Sequence, residues 1–169
     1  MGPRPDCSLG LEKASPTLIK HLEAVSDLCM TLSMKWGGDP ARAALAGSLH
    51  DILKPARHEK LARLMRSLRV KIDGATRRIP ELWHGPAVAA LAARRMGLCE
   101  SDMREALRWH STCLPDPSLL ARILFVADFC SEERDFKEAR AGKRLALRDL
   151  SLAVRYVLAC EGVKAKPKQ

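Results

Sequence analysis

Residues 119–129 read Leu-Leu-Ala-Arg-Ile-Leu-Phe-Val-Ala-Asp-Phe. At helical pitch this stretch is apolar almost all the way round. A helix without a polar face has to be enclosed by other elements. It is far too short for the ~20 residues that cross a bilayer, so the enclosure must come from the rest of the chain. The same stretch carries one carboxylate, Asp128. A buried, unpaired carboxylate is costly and tends to protonate. A metal or another buried cation removes the problem, and so does an ion pair to Arg122 or a second arginine.

The surrounding elements read as helices. Ser15-Pro16 pairs an N-cap with a proline at the first helical position. Leu18, Leu22, Val25, Leu28, Cys29 and Leu32 then recur at helical spacing, and Gly37-Gly38 ends the run. Asp39-Pro40 repeats the cap-and-proline start for a helix from about Ala41 to Ile52, broken by Pro55 soon after Lys54. Further helices are expected over 57–68, from Pro86 to Met96 after a break at Gly85, from a Ser101 cap to His110, from Asp116-Pro117 through the apolar stretch, and from Leu145 to Cys160. Residues 69–80 are expected as a loop, and the one alternating segment, Arg69 to Ile72, makes no sheet by itself. Aromatic residues are only 4% of the chain, with Ala, Leu and Arg prominent, a bias toward helix. The expected fold is all-α: one domain over 15–160, a bundle of about six to eight helices, with an N-terminal arm at 1–14 and a basic tail at 161–169. A length of 169 residues suits one domain with a real core.

Composition narrows the function classes. No apolar run approaches a membrane span and residues 1–16 hold no signal-peptide core, so a cytoplasmic protein is expected. The six cysteines (7, 29, 99, 113, 130, 160) form no C-x-x-C pair and read as reduced thiols. The net charge of +9 fits a solvated Arg-rich surface, a nucleic-acid surface, or attraction of a polyanionic small molecule. One Tyr, three Phe and three Trp, not interleaved with the basic residues, argue against nucleic acid as the main partner.

Several polar residues sit where a packed helix has no need of them. The run Ala43 to Leu49 ends in His50-Asp51, two metal-ligating groups in adjacent positions, with Lys54 on the same face as a phosphate-binding cation. His21 lies beside the apolar stripe of its helix, where a lone histidine ordinarily serves the core boundary. His84 stands at a helix entrance and His110 opens a loop after a helix. His58, between Arg57 and Glu59, reads as exposed and outside any site. Four imidazoles (His21, His50, His84, His110) and two carboxylates (Asp51, Asp128) exceed what one tetrahedral zinc needs. They suit two first-row metals sharing a carboxylate, the arrangement that activates water for displacement at phosphorus. Mixed N/O ligands accommodate iron, manganese, cobalt or zinc alike.

The order His … His-Asp … Asp, with 46–54, 84–86, 106–112, 123–129 and Arg134-Asp135-Phe136, resembles the HD-domain phosphohydrolase superfamily. It is most similar to the YqeK-type branch of symmetrical diadenosine tetraphosphate hydrolases. The resemblance runs over roughly residues 17–158 and implies an HD-domain helical bundle. It implies that His21, His50, Asp51 and Asp128 hold one metal, with Asp51 bridging. His84 and His110 complete the second metal or face the phosphates, and Lys54 and Arg134 neutralise phosphate oxygens. It implies a dinuclear iron site, and attack on phosphorus by a metal-activated hydroxide that releases two ADP. The implied partner is a nucleotide with a polyphosphate chain, with a homodimer left open. The chain departs from the family pattern at Leu18, where an Arg is usual, at Leu22-Glu23-Ala24 after His21, at Cys113, where a glycine is usual, and in ending before the segment that helps grip the nucleotide. Two alternatives stand beside this reading: an HD-type nucleotidase or phosphodiesterase for another phosphate ester, and a non-catalytic basic nucleotide- or RNA-binding module.

Overall fold

A computed structural model describes residues 14–164. Among these residues there are nine α-helices and no strand. They are α1 (Pro16–Trp36), α2 (Pro40–Leu49), α3 (His58–Ser67), α4 (Gly74–Arg77), α5 (His84–Arg95), α6 (Ser101–Trp109), α7 (Leu119–Cys130), α8 (Lys137–Ala146) and α9 (Leu150–Lys164), with a 3-10 turn at Pro80–Leu82. The all-helical architecture is the one expected. Most of the arm at 1–14 and residues 165–169 of the tail lie outside the described residues. No helix among the described residues is long and apolar enough to cross a membrane.

α7 is the axle. Only three of its twelve positions escape full burial, and it packs against α1, α2, α6, α8 and α9. The caps are those the sequence advertises. Ser15 accepts from the Leu18 amide, and Asp39 accepts from the Ala41 and Arg42 amides. α1 ends at Gly37, whose φ of +76° is the left-handed conformation that glycine adopts without penalty.

Two other glycines set helix separations. A Cβ at Gly47 would lie 2.7 Å from Ser26 Cα, and one at Gly85 would lie 2.6 Å from the Arg108 carbonyl oxygen. Gly47 therefore lets α2 press onto α1, and Gly85 lets α5 press onto α6. Gly85 was expected to mark a break before α5, but it lies inside the first turn and serves that close approach.

Several boundaries differ from expectation. α2 ends at Leu49 rather than Ile52, and the chain continues in three-residue turns, with Ile52, Lys54 and Ala56 amides bonding Leu49, Asp51 and Leu53 carbonyls. Pro55, which disfavours helix at Lys54 and offers no N–H of its own, closes this segment. α6 has Ser101 as its first residue rather than its cap. α7 starts two residues late because Ser118 caps it through the Ala121 amide. The expected loop at 69–80 contains α4, capped by Asp73, and leads into the 3-10 turn at Pro80–Leu82. α8 was not expected, and α9 begins at Leu150 and reaches Lys164 rather than spanning 145–160. α8 buries only Ala139, Gly142 and Ala146, small residues within a stretch that reads chiefly as charged. These two additions raise the helix count above six to eight.

Candidate metal centre

Five segments deliver six polar side chains to one place. His21 projects from α1. His50 is the C-terminal cap of α2, and Asp51 follows it in the first tight turn. His84 opens α5, His110 is the C-terminal cap of α6, and Asp128 lies in the last turn of α7. Helix ends leave backbone carbonyls without intrahelical partners, and these orient the rings. His50 Nδ1–H donates to Gly47 O at 2.7 Å, His84 Nδ1–H to Glu81 O at 2.7 Å, and His110 Nδ1–H to Leu107 O at 2.9 Å. Glu81 belongs to the 3-10 turn, which Trp83 Nε1 braces by donating to Thr76 O at 3.0 Å. The segment expected as a plain loop is thus part of the support for His84.

Asp51 sits between two groups, and its side chain is 1% exposed. Its Oδ2 lies 3.7 Å from His21 Nε2 and 3.6 Å from His50 Nε2. Its Oδ1 lies 3.1 Å from His84 Nε2 and 3.3 Å from His110 Nε2. Asp128 Oδ1 joins the first group, 3.3 Å from His21 Nε2 and 3.7 Å from His50 Nε2. One potential ligand set is therefore His21, His50, Asp51 and Asp128, and a second is Asp51, His84 and His110, each with its ligand atoms within 4.8 Å of one another.

The donor set fits cations. With Nδ1 committed as donor to a carbonyl, a neutral imidazole carries a bare lone pair on Nε2. Two such nitrogens face each other 3.0 Å apart in His84 and His110. Between them and Asp51 there is no hydrogen bond of good geometry, so the buried Oδ1 is left without a partner. Converging lone pairs and an orphaned carboxylate oxygen repel one another unless a positive charge lies between them.

Electrostatics point the same way. Burial opposes ionisation of Asp51, but His110, His84 and His50 outweigh it and hold the carboxyl far below its usual range. Asp128 is only partly buried; burial opposes its ionisation too, but His21, His50 and Arg134 outweigh it and hold its carboxyl well down. Burial pulls His21 down, while Asp128 and Glu133 more than offset it and raise its affinity for a proton.

Lys54 and Arg134 are close by but engaged with carboxylates. Lys54 Nζ donates to Asp51 Oδ2 at 2.5 Å and Arg134 Nη2 to Asp128 Oδ1 at 2.8 Å. The arginine that meets Asp128 is thus Arg134, not Arg122. His58 is exposed, with its ring against Trp83 and away from the cluster. Glu133 is a further member of the site that its sequence context does not single out. Its Oε1 hydrogen-bonds His21 Nδ1 and accepts from Ser131 Oγ at 2.8 Å. Only its place in the charged run after the central helix hinted at it.

Fold and side chains define a class: an all-helical protein in which helix ends, with one histidine from within α1, gather a His–Asp cluster suited to two cations. The chain belongs to the HD domain family, whose model matches residues 18–132. It is 28% identical over 134 residues to a symmetrical bis(5'-nucleosyl)-tetraphosphatase of Bacillus subtilis, covering 79% of this chain and 72% of that protein. It is also 28% identical over 135 residues to a protein of the same name from Halalkalibacterium halodurans, covering 80% and 72%. A crystal structure from Clostridium acetobutylicum, described as a predicted HD superfamily hydrolase involved in NAD metabolism, superposes with a TM-score of 0.82 at 25% identity. That match covers 95% of this chain and 87% of that one.

Proposed function

We propose that this protein is a metal-dependent phosphohydrolase that cuts dinucleoside tetraphosphates at the centre, converting diadenosine tetraphosphate to two ADP. The observation that carries the reading is Asp51, a buried carboxylate with one oxygen turned to each of two imidazole groups. His21, His50, Asp51 and Asp128 would hold one cation, and Asp51, His84 and His110 the other. Iron is the metal the resemblance favours, with manganese, cobalt and zinc compatible with the same donors. A bound pair of such ions supplies a water acidified for attack and a brace for both oxygens of an in-line displacement.

The chain's own residues supply the rest. Lys54, 52% exposed, donates to Asp51, and Arg134 donates to Asp128. Both place positive charge beside the site carboxylates and would serve phosphate oxygens as charge-assisted donors. Water gives up a proton to solvent as its oxygen bonds an inner phosphorus, and the central P–O–P bond breaks with one ADP leaving. The departing ADP is already a stable anion and needs no dedicated acid. The names of the two curated relatives support the substrate. The solved relative's link to NAD metabolism favours, as a second reading, another dinucleotide anhydride.

Metal-loaded protein should be offered diadenosine tetraphosphate, diadenosine triphosphate, NAD and simple phosphate esters, with products separated by ion exchange. Two equivalents of ADP with no AMP or ATP is the expected result. AMP plus ATP would overturn symmetrical cleavage, preferential cleavage of NAD would establish the second reading, and inertness toward the whole panel would leave a binding module.

A further inference from the structure

Three of the four imidazoles are anchored by a carbonyl three residues back, which is available because each lies at or beside a helix end. His21 has no such option. It sits inside α1, where the preceding carbonyls are consumed by the helix ladder. Its Nδ1 is gripped instead by a carboxylate 112 residues away, that of Glu133. Glu133 is itself fixed, with Ser131 Oγ donating to Oε1 at 2.8 Å and Arg134 Nε 3.9 Å from the same oxygen. Its Oε2 is buried without a hydrogen-bond partner. A carboxylate behind an imidazole fixes the ring and makes the opposite nitrogen a stronger donor than a neutral carbonyl does.

We infer that Glu133 is the positioning residue of the His21–His50–Asp128 centre, setting that centre's cation affinity independently of the His84–His110 centre. The inference rests on the two-metal reading above. Glu133 does not touch the proposed substrate or the reacting atoms, and it acts through His21. Losing it frees the His21 ring to rotate and removes the charge that strengthens Nε2. The centre held by Asp51, His84 and His110 keeps all its supports.

The test is manganese loading of the full chain, counted by elemental analysis and inspected by electron paramagnetic resonance. The wild-type chain is expected to hold two ions with an exchange-coupled spectrum. Glu133→Ala is expected to lose about 10–100-fold in affinity at one position, hold about one ion, and show the six-line spectrum of isolated manganese. Glu133→Gln, whose amide oxygen still accepts from Nδ1, is expected to recover the second ion. Glu132→Ala, altering an exposed neighbour paired with Lys143, is expected to match wild type. If Glu133→Ala is insoluble, Glu133→Asp, shorter by one methylene, makes the same test. Two ions bound at wild-type affinity in the Ala or Asp variant would overturn the inference and leave the two-metal reading standing. A wild-type chain that takes up no manganese would overturn both.

Discussion

The two halves of the cluster are built by different means. The Asp51–His84–His110 half is closed, and each ring is oriented by a carbonyl of its own turn. It contains no charged side chain besides Asp51. The His21–His50–Asp128 half is more open, with His21 13% and Asp128 16% exposed. Three further charged side chains, Lys54, Glu133 and Arg134, crowd it. The first half follows from where helices stop. The second depends on contacts between residues far apart in sequence. The closed half is therefore suited to holding an ion, and the open half to exchanging ions and meeting substrate.

The largest expected effect comes from removing what the halves share. Asp51→Asn takes the bridging charge from both, so it should abolish tight binding of both ions. Hydrolysis should fall by several kcal/mol of transition-state stabilisation, roughly a thousandfold. Metal counting and steady-state rates check this, and a variant retaining one tight ion would show that the halves are independent.

Next in size are the glycines that set each half's helix spacing. Gly85→Ala meets the Arg108 carbonyl and Gly47→Ala meets the Ser26 backbone. Each should cost about 1–3 kcal/mol, a fall of several degrees in melting temperature. Gly85→Ala should disturb the His84–His110 half and Gly47→Ala the His21–His50 half, read as the ion each variant loses.

A smaller effect distinguishes the halves by pH in metal-free protein. His21 binds a proton more tightly folded than unfolded. Its contribution to stability is thus fully present below the usual imidazole value of 6.5 and is lost as pH rises through its raised value. Thermal melts should show stability declining above that pH, and His21→Gln should flatten the decline. Asp51 and Asp128 act in the opposite sense. Their contribution is present above the usual carboxylate range and is lost as pH falls toward their depressed values.

The smallest effect belongs to Cys113, just after His110. Its φ of +59° is left-handed, which a residue with a Cβ adopts at a cost. Glycine adopts that conformation without penalty. Cys113→Gly should stabilise the protein by about 0.5–1 kcal/mol, seen as a small rise in melting temperature with the ion count unchanged.

The sequence was most legible where local rules decide. Proline-led caps placed α1 and α2, and the apolar run placed α7 at the centre. Polar residues at helix ends stood out because packing gives them no reason to be there. α8 reads as a charged run, because the face it buries holds only alanine and glycine. The 3-10 turn under His84 lacked a hydrophobic pattern. Glu133 could not be singled out within Ser131-Glu132-Glu133-Arg134, since its meaning depends on a histidine 112 positions earlier. Arg134 was legible as a cation near the site, but its pairing with Asp128 emerges only in three dimensions.

The most direct test of a shared carboxylate between two cations is anomalous diffraction from crystals of the manganese-loaded protein. Two peaks about 3.5–4 Å apart, one on each side of Asp51, are the predicted result. A single peak, or density at neither imidazole group under saturating manganese, would contradict the account.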